Sequence, residues 1–450
     1  MEIRNRDVVT AGALLKMRTK RRILSGHSLF RIFLAPDLLM YVLIMLLCSF
    51  GSAVPQAGNQ KMSFPNVIAG KSWSDLAADE VLRIHPHYVN YDTPSLAWNY
   101  PQGLILYAIW NVWLETHDQK YFDYVKESVA FYLPDTSGIK TYVQDDFRLD
   151  DILMGRVILD LYKLSGEAKY KKAAAILREQ LTRQPRTPEG GFWHKKIYPN
   201  QMWLDGLYMS EPFYAQYAKM FNEPDDFDDI ARQFVLMAEH ALDPASGLMY
   251  HGWDFAKKEK WSNSQTGDSP CFWGRSIGWY MMGLADALDY FPVDHPQRQK
   301  LISIFRDLCT SVLKYQDKKT HLWYQIVDRP GSSGNFLESS ASAMFAYSFA
   351  KGAKEKYLDH EFSDIAARTF DGLVNYSVKI KQITIDSASA PQFEFILENT
   401  SGTVGLGGNP YRDGSYEYYV GVPKEENDFR GVGPFILAAL QIESSEKAEK

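Results

Sequence analysis

Cysteine is nearly absent: the 450 residues hold three, Cys48, Cys271 and Cys309. So few exclude a disulfide framework, and Cys271 and Cys309 are expected to be two buried thiols. An excess of basic charge is missing too. Lys and Arg number 49 against 55 Asp and Glu, a net charge of -6, which excludes the basic face of a nucleic-acid binder. No histidine pair stands at metal-ligand spacing; His85-Pro86-His87 comes nearest and reads as a loop cap, so neither a catalytic metal nor a cofactor is expected. Long hydrophobic runs are confined to residues 38–50, short of the roughly 20 needed to span a bilayer. Arg18, Lys20, Arg21, Arg22 and Arg31 precede that run and Gly51-Ser52-Ala53 follow it, the layout of an export signal. Residues 1–57 are therefore expected to be an export segment, with no membrane span after its removal and a periplasmic or secreted product. Leu47 before Cys48 is too large for lipoprotein processing. Residues 58–450, free of low-complexity linkers, are expected to form one domain.

Apolar residues and aromatic rings are plentiful. Hydrophobic residues make up 46% of the chain, and the 14% of aromatics include 11 Trp and 27 Tyr, enough for a large core with rings left over to line a cleft. Apolar residues return every three or four positions at Ile152, Gly155, Leu159 and Tyr162, and at Ala173, Ile176, Leu177 and Leu181, which predicts helices. Ser165-Gly166-Glu167, Asn222-Glu223-Pro224-Asp225 and Phe291-Pro292-Val293-Asp294 each supply a stop, a cap and an acidic first turn. An aromatic, small-residue helix followed by a charged amphipathic one recurs in six pairs from Trp73 onward. The first members begin near Ser72, Asp150, Asp205, Arg275, Glu338 and Gly431, the opening pair being 72–83 with 101–115. The other helices are expected at 120–133, 167–183, 225–242, 295–313 and 360–377, and strand alternation is confined to 380–397. A lone hairpin cannot bury its apolar face, so the pairs are expected to close into an all-α toroid, an (α/α)6 barrel. Its mouth is expected to hold the long aromatic connections at 184–204 and 243–274 and the glycine-rich one at 402–433.

Within the first of these, Gly190-Gly191-Phe192-Trp193-His194-Lys195 and Trp203-Leu204-Asp205-Gly206 set one carboxyl among rings at the start of a helix. Aromatic faces stack on sugar rings, and a desolvated Asp holds a proton it can donate. Asp205 is the candidate acid and Asp150, also at a helix start, its candidate neighbour. Asp is equally a preferred N-cap, and a cap favours the ionised form; donation thus requires a neighbour such as Asp150 to repel the second charge. His251 lies between Tyr250 and Trp253 in a mouth loop, where packing competes with sugar contact. Arg275 stands in the first turn of a helix behind Trp273. A cation there needs an anion, either a core carboxylate or a substrate carboxylate clamped bidentately, with Trp273 stacking on the ring. Trp203 and Tyr100 are further candidate sugar contacts, and His194 with Lys195 shapes the loop before Asp205.

Together with Gln184-Pro185-Arg186-Thr187, Tyr250-His251-Gly252, Gly274-Arg275-Ser276-Ile277-Gly278-Trp279 and the tail Tyr411-Arg412-Asp413-Gly414-Ser415-Tyr416-Glu417-Tyr418-Tyr419, these segments resemble glycoside hydrolase family 105, the unsaturated rhamnogalacturonyl hydrolases, over residues 98–442. The resemblance implies an (α/α)6 barrel that removes a 4,5-unsaturated uronic acid from the non-reducing end of lyase-generated oligosaccharides by hydrating the double bond. It implies that Asp205 is the general acid and base, Asp150 the second carboxylate, and His251, Trp273 and Arg275 sugar-site residues, with Trp203 and Tyr100 as neighbours. Arg148-Leu149-Asp150 departs from the family's usual Asn-Leu-Asp and sets a bulky cation beside the subsite. Alternatives are an unsaturated glucuronyl hydrolase on glycosaminoglycan- or ulvan-type fragments, a non-catalytic sugar-binding toroid, and an inverting glycosidase on saturated sugars; oligomeric state stays open.

Overall fold

The computed structural model describes residues 70–87, 97–134, 138–383 and 392–449; the expected export segment lies outside them. Among the described residues thirteen helices account for most of the chain. They are α1 (Trp73–Ile84), α2 (Tyr100–Thr116), α3 (Gln119–Tyr132), α4 (Gly155–Ser165), α5 (Ala168–Arg183), α6 (Leu204–Phe221), α7 (Asp226–Ala241), α8 (Gly274–Ala287), α9 (Arg298–Leu313), α10 (Ser339–Lys354), α11 (Glu361–Ser377), α12 (Tyr416–Gly421) and α13 (Phe429–Glu449).

Local chemistry sets many of their ends. Ser72 accepts from the Asp75 amide, Asp118 from the Lys120 amide, and Glu338 from the amides of Ser340 and Ala341, each satisfying donors that a helix start leaves open. Gly166 and Asn222 stop α4 and α6 in the left-handed region, at φ 69° and 59°.

The helices form two concentric rings. Helices α2, α4, α6, α8, α10 and α13 each pack on the next, and α13 packs on α2 to close the inner ring. All 14 residues of α8 are buried, as a helix apolar on every side requires. The amphipathic helices α3, α5, α7, α9 and α11 each fold back on the inner helix before them. This is the expected (α/α)6 barrel, with one correction to the pairing: 72–83 and 101–115 are not hairpin partners. Helix α1 packs on α13, so the sixth pair joins the two ends of the barrel, while α2 pairs with α3. A ring has no first hairpin, and adjacency in sequence could not reveal which helices meet at the seam.

All inner helices start at one end, the mouth. Strand β1 (Gln201–Trp203) pairs there antiparallel with β2 (Gly252–Asp254), setting Trp203 opposite Gly252. The expected strand segment near 380–397 forms β3 (Val378–Ile383) and β4 (Gln392–Leu397), and β5 (Thr400–Ser401) pairs with β6 (Lys424–Glu425). Cys271 and Cys309 are buried free thiols, as expected.

Candidate active site

The β1–β2 pairing makes the site. It joins two connections far apart in sequence, and the Leu204 amide donates to the His251 carbonyl at 3.0 Å, setting the start of α6 against His251. The N-cap of α6 is Trp203, not Asp205. Asp205 is the second helical residue, and its side chain is 15% exposed. Its Oδ2 lies 3.2 Å from His251 Nε2, close but out of line for a hydrogen bond, and neither atom has another protein partner. The capping alternative therefore does not describe Asp205. His251 is fully buried; its Nδ1 is 2.8 Å from the Tyr419 hydroxyl, and its ring lies 4.7 Å from that of Trp273. The Trp273 indole nitrogen is also buried without a protein acceptor. Two polar atoms without hydrogen-bond partners, Asp205 Oδ2 and the Trp273 indole nitrogen, thus flank an imidazole whose own Nε2 is also unpartnered, whereas buried polar groups in proteins are normally paired.

Asp150 approaches from the neighbouring hairpin, although not on an α-helix. It sits in a 3-10 turn (Leu149–Ile152) ahead of α4. The Leu149 amide donates to the His194 carbonyl at 3.1 Å, and Gln184 donates to the carbonyls of Phe147 and Trp193, so hydrogen bonds tie this turn to the 184–203 connection. Lys195 Nζ is 2.5 Å from Asp150 Oδ2, and His194 Nε2 is 3.5 Å from Oδ1. Burial by itself pushes the Asp150 carboxyl up, but Lys195, His194 and Arg148 outweigh it and hold the group at about 2. The expected like-charge repulsion on Asp205 is accordingly blunted, because Lys195 balances the Asp150 charge at contact distance. Burial takes His194 the other way, down to about 4 against the pull of Asp150, so its ring is neutral at neutral pH. Lys195, expected only to shape the loop, is the counter-ion of the second carboxylate.

Two candidate sugar contacts have other duties. Both faces of Trp203 are covered, by His194 at 4.3 Å and Tyr198 at 4.8 Å, so Trp203 cannot offer a face to a pyranose and instead stiffens the loop. Arg275 is buried, and its two Nη atoms each donate at 2.5 Å, to the carbonyls of Ser401 and Gly402. Burial lowers its pKa, helped by Arg430 and opposed by Glu338. The expected bidentate clamp on a substrate carboxylate is thus not what this guanidinium forms; it ties the start of α8 to β5 and lies 4.7 Å over the Trp273 ring. Tyr100 opens α2 and meets Trp279 edge-on at 6.4 Å. Burial raises its hydroxyl pKa; the charges of Arg430 and Arg275 oppose this and that of Asp150 adds to it. Tyr100 therefore stands among the site's charged groups. Tyr419 went unnoticed as a functional residue, although the tail bearing it carried part of the family resemblance. Nothing in a sequence reports that two residues 168 positions apart share a hydrogen bond.

A cavity of about 680 Å³ opens on another flank, lined by His240, Asp243, Tyr250, Trp261 and Asp268 among others. Neither Asp205 nor Asp150 lines it, and its size does not outweigh the convergent unpaired groups around His251.

The family model described as Glycosyl Hydrolase Family 88 matches residues 73–445. The solved structure of a C. acetobutylicum glycoside hydrolase from family 105 is similar, with a TM-score of 0.78 and 38% identity over 83% of this chain and 100% of that one. The unsaturated rhamnogalacturonyl hydrolase YesR of Bacillus subtilis is 29% identical over 279 residues, 60% of this chain and 76% of that protein. Protein Atu3128 of Agrobacterium fabrum is 33% identical over 230 residues, 51% of this chain and 96% of that protein. Barrel, mouth constellation and similarity coincide over the same residues: the chain is a glycoside hydrolase of the group that families 88 and 105 describe.

Proposed function

We propose that this hydrolase removes a 4,5-unsaturated uronic acid from the non-reducing end of oligosaccharides left by polysaccharide lyases, of the pectic rhamnogalacturonan type. The observation that carries the reading is Asp205: a carboxyl in the first turn of an inner helix at the mouth, its Oδ2 buried without a hydrogen-bond partner and 3.2 Å from His251. The name of the Bacillus subtilis relative supports the choice of pectic substrate.

In this mechanism Asp205 delivers its proton to C4 of the enol ether, and the positive character left at C5 is shared by the ring oxygen. The Asp205 carboxylate then takes a proton from water as that water attacks C5. The resulting hemiketal opens and expels the aglycone, leaving a 5-keto-4-deoxyuronate. One carboxyl serves in turn as acid and base, so the two-carboxylate spacing rule of ordinary glycosidases does not apply. Asp150, anionic beside Lys195, is an acceptor for sugar hydroxyls, and the Trp273 indole N–H is a donor for a sugar oxygen.

Asp205→Asn keeps the size of the side chain and removes the transferable proton. Turnover of an unsaturated pectic disaccharide, followed as loss of double-bond absorbance, is expected to fall by on the order of 10²–10⁴-fold with an unchanged melting curve; near-wild-type turnover by the folded variant overturns the assignment. Reducing the substrate double bond is expected to abolish cleavage, whereas an ordinary inverting glycosidase would retain it. A panel of lyase products with pectic, glycosaminoglycan and ulvan aglycones tests the substrate class.

A further inference from the structure

Tyr419 belongs to the C-terminal connection, yet its hydroxyl enters the site. The residue is fully buried. Helix α12 holds it there: Ser415 caps that helix by accepting from the Tyr418 amide, and Gln325 Nε2 donates to the Tyr419 carbonyl at 2.9 Å. Burial keeps the phenol pKa well above its ordinary value, with the nearby Asp205 charge adding to the effect, so the hydroxyl carries its proton. A neutral imidazole has one donor and one acceptor nitrogen, and the partner of one nitrogen decides the state of the other. A hydroxyl donating to Nδ1 across 2.8 Å leaves the ring proton on Nε2, the atom 3.2 Å from Asp205 Oδ2.

We propose that Tyr419 is a positioning residue of the hydration reaction, holding His251 in the Nε2–H tautomer so that the nitrogen beside Asp205 Oδ2 carries a proton, ready to turn into line with that oxygen as negative charge grows on it when the acid's proton leaves. The inference rests on Asp205 as the acid. The opposite tautomer would turn a lone pair toward the forming carboxylate. A donor that matters only once charge has developed stabilises the transition state more than the bound substrate, so its loss belongs in kcat.

Nitrogen NMR of ¹⁵N-histidine-labelled enzyme, with His251 assigned against His251→Gln, reads the tautomer directly in the wild type. An Nδ1–H ring there overturns the proposal without any Tyr419 variant. With Tyr419→Phe, the Nε2–H signature is expected to give way to a tautomer mixture, and kcat on an unsaturated disaccharide to fall roughly tenfold or more with KM within about twofold. An unchanged signature or an unchanged kcat overturns it. In a His251→Gln background, where an amide N–H donates whatever its neighbour does, Tyr419→Phe is expected to cost less than about twofold. An equal cost in both backgrounds would mean that the tyrosine acts through packing alone. A wild type inactive on every unsaturated product removes the proposed function, and with it the catalytic role of Tyr419. A wild type that is active but indifferent to Tyr419→Phe removes this inference alone.

Discussion

Two adjacent aspartates in the 149–152 turn are held on opposite sides of the ordinary carboxylate range. Asp150, with Lys195 at contact distance, is held at about 2. Asp151 is buried, its Oδ1 has no hydrogen-bond partner, and Arg148 comes only to 3.8 Å; burial outweighs Arg148, Asp150 adds repulsion, and the group is pushed up to about 7. A raised carboxyl stabilises the fold fully below its unfolded value and loses that contribution as pH rises through the folded one. Asp151→Asn is therefore expected to gain on the wild type by on the order of 4 kcal/mol between about pH 4 and pH 8, read from melting curves of both proteins across that range. His194, lowered to about 4, slopes the other way, its contribution being lost as pH falls from its ordinary value. The difference between variant and wild type cancels that slope, and a flat difference would show that Asp151 is ionised throughout. Residue types in the sequence were enough to single out Asp205, Asp150, His251 and Tyr100 as site candidates. For Trp203 and Arg275 residue type was not enough, because a ring or guanidinium can serve a substrate only if neighbours leave it free. Tyr198 and His194 cover Trp203, and two carbonyls occupy Arg275.

At the scale of elements, helix periodicity and the Gly, Asn and Pro breaks between helices were legible in sequence because they are local. Most helices formed where expected, with ends shifted by a few residues. The exceptions lie at the mouth, where α4 starts at Gly155 after a 3-10 turn and α6 is capped by Trp203. One close approach fixes that turn. A Cβ on Gly103, in the first turns of α2, would stand 2.8 Å from the Met154 amide nitrogen and 3.0 Å from its Cα, so α2 rests directly on the backbone that follows Asp150. Gly103→Ala is expected to cost about 1–3 kcal/mol and to lower kcat by shifting Asp150. Gly421→Ala, where an added Cβ would meet nothing within 4 Å, is expected to change neither. Equal stability of the two alanine variants by denaturant titration would refute the close approach.

For the whole molecule the decisive event is closure of the ring. Glu443 of α13 accepts from the amides of Trp73 and Ser74 at 2.9 and 3.2 Å, so the last helix caps the first across 370 residues of sequence. Deeper in the barrel, Asp286 joins Arg156 at 2.8 Å to Lys351 at 2.6 Å, and Arg156 also donates to the Tyr107 hydroxyl. This network links α2, α4, α8 and α10 in the core. Lys351→Met leaves Asp286 short of one cation and is expected to cost about 3–5 kcal/mol, with KM unchanged in the protein that remains folded; a loss below about 1 kcal/mol by chemical denaturation would mean that the network is relieved by water. The sequence by itself determined the helices, their alternation between apolar and amphipathic faces, and hence a double ring, since periodicity and turn chemistry act over a few residues. It also marked the carboxyl at the mouth. Only the tertiary structure decided which helices meet at the seam, which candidate side chains are already engaged, and that Tyr419 and Asp205 stand at the two nitrogens of one imidazole, that of His251. Those outcomes depend on distances between residues that are up to 370 positions apart, which the folded chain alone defines.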